Sequence, residues 1–159
     1  IMAMFLVLFR NLKISLIGVI PNFIAAFTIL GLIGVLGIPL DMMTITIAAI
    51  TIGIAVDNSI HYIYRFKEEY EKNKSYEDSI RLCHSTVGVA ILNTSITIIF
   101  GFSILVLSNF IPTIYFGVFT GIAMFLAMIL VLTLLPSLIL YIQPFEKRLN
   151  VWSIFEFFW

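Results

Sequence analysis

From Thr86 to Phe145 the chain contains no Asp, Glu, Lys or Arg. In hydrocarbon no water is available to satisfy backbone N–H and C=O groups, so an uncharged run of this length has few folds open to it, and helices are the first. One transmembrane helix takes about 20 residues. The run therefore holds two spans, divided at Asn109-Phe110-Ile111-Pro112. The rest of the sequence agrees: 61% of its 159 residues are hydrophobic and 11% charged, against about 25% charged in soluble domains. The fold class this predicts is an all-α membrane protein, a multi-pass helical bundle with four full transmembrane helices plus a partial one.

In chain order, residues 1–12 read as the end of a truncated preceding transmembrane helix. They are apolar up to Phe9 and too short to span. With Ile1 in place of an initiating Met, this points to a piece of a larger protein. Residues 13–143 form the bundle, with spans at about 14–36, 42–64, 87–107 and 113–142. Gly37-Ile38-Pro39-Leu40-Asp41 is a turn whose Asp41 can cap the second span. Residues 65–85 are a charged helical loop. Within it Ser75-Tyr76-Glu77-Asp78 has capping-box spacing, which predicts an ordinary solvated helix through about His84. Pro136 kinks or ends the last span. Residues 144–159 are an aromatic tail that lies in the headgroup region or docks on protein.

The charges support this layout. The basic residues are Arg10, Lys13, Arg65, Lys67, Lys72, Lys74, Arg81, Lys147 and Arg148. With the spans drawn as above, all of them fall on one side of the membrane, and the loops around Asp41 and Asn109 have none. The positive-inside rule makes the basic side cytoplasmic. The expected location is a cell membrane crossed several times, with the basic loops cytoplasmic.

Several classes are disfavoured. A single cysteine, Cys83, rules out a disulfide framework within the chain. No metal-ligand spacing, nucleophile elbow or phosphate loop is present, so neither an enzyme nor a cofactor is expected. The basic loop also carries Glu68, Glu69, Glu71, Glu77 and Asp78, which argues against nucleic acid as a partner.

The chemistry concentrates on Asp57. It sits about fifteen residues, roughly 22 Å, into the second span, where a carboxylate costs roughly 2.5–3.5 kcal/mol. Gly53 and His61 lie one turn to either side on the same face. The third span has a polar stripe of its own, Asn93, Thr97 and Gly101, with Thr94 beside it. Packing the two stripes against each other would give every polar group a partner. Such a site could bind and release a proton, because burial and hydrogen bonding move a carboxyl group in opposite directions. The alternative is a structural Asp57 that bonds Thr or Asn and never titrates. His61 is either a partner on the proton-uptake side or simply interfacial. Gly117-x-x-x-Gly121 in the fourth span fits close helix packing, as do Gly53 and Gly101.

Gly53-x-x-x-Asp57, then Ile60-His61, then Arg65-Phe66-x-Glu68-Glu69, resembles the proton-relay helix of the resistance–nodulation–division (RND) superfamily. The nearest likeness is to its lipid- and hydrophobe-exporting branch, which includes the mycobacterial membrane-lipid transporters and the hopanoid transporters. Thr94-Ser95-x-Thr97 with Gly101-Phe102, Phe116-Gly117 and Leu134-Leu135-Pro136 are similar to the two helices that follow, and Gly37-Ile38-Pro39 fits the same alignment. The resemblance covers roughly residues 9–142. It implies one part of one of two helical bundles, with the superfamily's proton-accepting aspartate at Asp57 and with Asn58, Thr94, Thr97 and Asn93 shaping its site. Asn58 departs from the Tyr, Phe or second acid found there in many relatives, which bears on how many protons move. The function implied is proton-motive-force-driven export of lipids or other hydrophobic compounds. The partners implied are membrane lipids, a lipidic substrate, protons and the missing half of the transporter, and an oligomer is compatible with this. The same fold also serves as a sterol-sensing, lipid-binding domain and as a component of the protein-export machinery, and these are the alternatives.

Overall fold

A computed structural model of the chain describes residues 1–38 and 41–144. Pro39 and Leu40 of the predicted turn, and the predicted aromatic tail from Phe145 onward, lie outside the described residues. Every regular element among the described residues is helical: α1 (Met2–Phe9), α2 (Leu12–Val35), α3 (Met42–Asn73), α4 (Tyr76–Cys83), a π-helical segment (His84–Gly88), α5 (Val89–Ser103), a 3-10 turn (Ile104–Leu107) and α6 (Ile111–Ile142). Four stretches are long and apolar enough to cross a membrane: α2, Thr44–Asn73 of α3, the continuous run Tyr76–Leu107, and α6.

Local chemistry sets the ends of these helices. At the start of α3 the Thr44 amide donates to the Asp41 carboxylate (2.9 Å), and the Asp41 amide donates back to the Thr44 hydroxyl (2.8 Å). This reciprocal pair satisfies two of the N–H groups that a helix start leaves open. α2 closes into the turn at Gly37, whose φ of 67° suits a residue without Cβ. Helices α1, α3 and α6 end on Arg10, Lys74 and Gln143, all in the left-handed conformation, and the amide of each reaches back to the last turn.

Helices α2, α3 and α6 form the core, each packed on the other two. A Cβ on Gly18 of α2 would touch Ile63 of α3, while Ile29 and Ile33 cluster with Ile47 and Phe119. So α2 and α3 are antiparallel, and α6 runs with α3. At the basic end, Phe5, Ile17, Tyr62, Ile63, Phe66, Cys83, Leu135 and Ile139 pack together. At the waist, Ala25, Ala55 and Ala127 let the three helices approach closely. α1 lies on α2, and α5 lies on α6.

Two expectations need correction. The helix predicted as an ordinary solvated one is amphipathic and docked. Ser79 and Cys83 of α4 are fully buried, and the Cys83 thiol donates to the Tyr62 carbonyl at 3.5 Å. Nor do the polar stripes of α3 and α5 meet within the chain. α6 packs on both helices, and α3 touches the α5 arm at α4 and the π-helical segment.

Candidate functional site

α3 is polar on two opposite faces. Its inward face carries Ser59, fully buried, whose hydroxyl donates to the Ala55 carbonyl (2.9 Å) and accepts from Asn22 Nδ2 of α2 (3.2 Å). Asn22 also donates to the Gly18 carbonyl at 2.7 Å. This buried amide–hydroxyl pair ties α2 to α3 and leaves neither group unsatisfied, as hydrocarbon requires. Sequence reasoning passed over it. The available signal was an Asn inside an apolar span.

The other face is open. Thr46, Ala49, Gly53, Asp57, His61 and Tyr64 recur at helical spacing and are all exposed. Asp57 Oδ1 lies 3.5 Å from His61 Nε2, with side-chain exposures of 70% and 68%. Asn58, the next residue, is half-buried. Asp57 sits between the Ala55 waist and the basic-end cluster, which Val56 joins. The open face of α6 differs in character, presenting Ile122, Phe125 and Ile129, while that of α5 mixes Leu92, Ile96 and Phe100 with polar residues. Small and polar residues on α3 make a poor lipid surface, but they suit close approach of another helix.

The structure brings Asp57 and His61 together and leaves the α5 residues apart from them. Asn93, Thr94 and Thr97 are exposed on α5. Thr94 donates to the Ala90 carbonyl, and Thr97 to the Asn93 carbonyl at 2.9 Å. The four glycines differ among themselves. A Cβ on Gly117 would lie 2.7 Å from the Phe102 carbonyl oxygen and 2.8 Å from Leu105 Cβ, whereas one on Gly53, Gly101 or Gly121 would meet nothing within 4 Å. Gly117 is therefore where α5 and its 3-10 turn close onto α6.

Beyond Tyr64 the charged extension of α3 is internally paired. Arg65 bonds Glu68 (2.9 Å) and the buried Glu69 (2.8 Å), and Lys72 bonds Glu68 (2.9 Å). The Lys72 ammonium, and then the Arg65 guanidinium, hold the Glu68 carboxyl below its ordinary range. A second feature not foreseen from the sequence is a hydrogen-bonded chain from Tyr62 through His84 to the Leu132 carbonyl.

Known proteins add a family to this geometry. The chain is 33% identical over 154 residues to a membrane protein of Methanocaldococcus jannaschii, covering 94% of this chain and 40% of that protein. It is 28% identical over 115 residues to the hopanoid transporter HpnN of Burkholderia multivorans, covering 69% of this chain and 12% of the transporter. The chain thus spans well under half the length of either relative. No solved structure is significantly similar to it. The profile of the MMPL family matches residues 1–159. A match over that whole extent means that the chain belongs to the MMPL family.

Proposed function

We propose that the chain is the transmembrane part of a proton-driven exporter of lipids or other hydrophobic molecules, with Asp57 as the proton acceptor. The observation that carries this reading is a carboxylate midway along a helix long and apolar enough to cross a membrane, on an open face and 3.5 Å from an imidazole one turn away. Facing lipid, that carboxylate would cost roughly 2.5–3.5 kcal/mol. An energetic cost of this size is tolerated where the group is covered, hydrated and used. Membership of the MMPL family and similarity to a hopanoid transporter support a lipidic substrate.

In this reading His61 relays protons on the basic side, and Asn58 hydrogen-bonds the carboxylate without adding a second acid. The open face of α3 is covered in the assembled transporter by a second helical bundle, either the other half of the same protein or another copy. The small residues Ala49 and Gly53 admit its backbone. Asn93, Thr94 and Thr97 line the neighbouring face of α5 and join the site only in that assembly.

The test is transport in vesicles containing the full-length protein, with a fluorescent lipid as cargo and an imposed pH gradient. Export should follow the gradient and collapse when a protonophore is added. Lipid binding or export indifferent to the gradient would overturn the reading, and binding alone would fit a sterol-sensing type of domain instead.

The orientation follows from the same reading. Arg10, Lys13 and the basic residues from Arg65 to Arg81 gather at one end, which the positive-inside rule makes cytoplasmic. An Asn109→Cys variant should react with a membrane-impermeant thiol reagent added outside intact cells. The native Cys83 is buried and should stay silent. Labelling that appears only after permeabilisation would reverse the topology.

A further inference from the structure

Leu132 is one turn before Pro136 on α6. Proline has no N–H, so the Leu132 carbonyl lacks the helical donor that residue 136 would otherwise supply. A side chain from elsewhere in the fold supplies it: His84 Nε2 lies 3.0 Å from the Leu132 oxygen. A carbonyl can only accept, so Nε2 carries the proton. In the neutral ring Nδ1 is then the acceptor. The Tyr62 hydroxyl of α3 donates to Nδ1 at 2.8 Å, with the two rings edge to face at 5.6 Å. Tyr62 is fully buried, so this hydroxyl has no water to turn to.

His84 begins the π-helical segment, a local rewinding that is frequent at functional positions. Gly88, at the other end of the segment, is buried, and a Cβ there would contact both His84 Cβ and Leu132 Cδ2 at 3.7 Å. The segment thus rests on α6 beside the orphaned carbonyl. The resulting chain runs from α3 through the π-helical segment to α6 and uses each donor and acceptor once.

We propose that His84 is a positioning residue for the relay helix: its imidazole stands in for the missing N–H of Pro136 and, through Tyr62, fixes α3 against α6 five residues beyond Asp57. The proposal rests on the relay reading of Asp57 for its functional consequence, and the clamp itself can be tested without it. A proton-driven cycle has to shift α3 relative to its neighbours. The clamp joins α3 to α6 through two side chains and a backbone carbonyl that Pro136 leaves without a helical donor, so it can release and reform without breaking a helical hydrogen bond.

The experiment is a double-mutant cycle in the full-length protein with His84→Phe, Pro136→Ala and both together, read first by thermal unfolding in detergent. His84→Phe leaves the Leu132 carbonyl and the Tyr62 hydroxyl unpaired and should lower Tm by several degrees. Pro136→Ala supplies an N–H to Leu132, so in that background the same His84 change deprives only the Tyr62 hydroxyl of its partner and should cost clearly less. Equal losses in both backgrounds would overturn the clamp, whatever Asp57 does.

The second readout is the pH profile of transport, with His84→Gln as the conservative variant because its amide keeps an N–H for Leu132. His84→Phe and Tyr62→Phe should each change the shape of the profile, and His84→Gln should restore the parent shape. A rate lowered by the same factor at every pH would show a merely structural contact and overturn the positioning role. Failure of Asp57→Asn to affect transport would count against the relay reading and leave the Tm cycle to decide the clamp.

Discussion

Asp57→Asn in the full-length protein is expected to reduce proton-coupled export to background while the protein still inserts and accumulates. The substitution is nearly isosteric and keeps a hydrogen-bonding head group on the open face of α3. What it removes is the ability to take up and lose a proton. A membrane potential supplies about 2.3 kcal/mol per charge per 100 mV, and without a titrating group none of that reaches the helix. Stability should hold, because Asn keeps the shape of the side chain and its hydrogen-bonding capacity. Transport by vesicles carrying the variant, at matched protein content, checks both halves of the expectation. Undiminished export would end the relay role of Asp57. Loss of protein rather than loss of transport would make Asp57 a structural residue.

The second large effect is expected at Gly117. Its hypothetical Cβ falls 2.7 Å from a backbone oxygen, that of Phe102, and 2.8 Å from Leu105 Cβ. A backbone atom at the end of a helix cannot swing aside as a flexible side chain can. Gly117→Ala should therefore push α5 and the 3-10 turn off α6 and cost about 1–3 kcal/mol, and Gly117→Val should cost more. Gly121, one turn on, is the internal control. It is buried, yet nothing lies within 4 Å of its hypothetical Cβ. Gly121→Ala should be neutral, or stabilising by up to about 1 kcal/mol from helix propensity. Thermal unfolding of the purified variants separates the two sites. Equal losses at both would mean that the pair acts as one packing motif and that the contact with Phe102 is incidental.

These two glycines show where the sequence is informative and where it is not. Spacing alone treats Gly117 and Gly121 as equivalent, because it records which face they share and not what lies opposite. The same holds for Asn93, Thr94 and Thr97. Their stripe is legible as a pattern, but its partner is not, since hydrocarbon gives no hydrophobic force to choose the inward face. The spans themselves were readable because an uncharged run from Thr86 to Phe145 has few places to go. Asp57 was readable because charge at that depth is costly. The Asn22–Ser59 pair and the Tyr62–His84–Leu132 chain join residues 37, 22 and 48 positions apart. No local period encodes such distances. His84 looked like part of a solvated loop because its partner is a backbone carbonyl made available by a proline far along the chain.

α3 runs unbroken for 32 residues from Met42 to Asn73, which at 1.5 Å per residue is about 48 Å, well beyond a hydrocarbon core of about 30 Å. Asp57 lies close to its midpoint, and the paired charges from Arg65 to Lys72 stiffen its far arm. If Asp57 is the proton acceptor proposed above, the helix can act as a lever that pivots near it. From Asp57 to Asn73 the arm is about 24 Å long, so a tilt of about 5° at the protonated carboxyl would sweep the charged tip by about 2 Å. A sub-ångström event in the membrane would then be legible on the aqueous side as a displacement large enough to break or make a hydrogen bond.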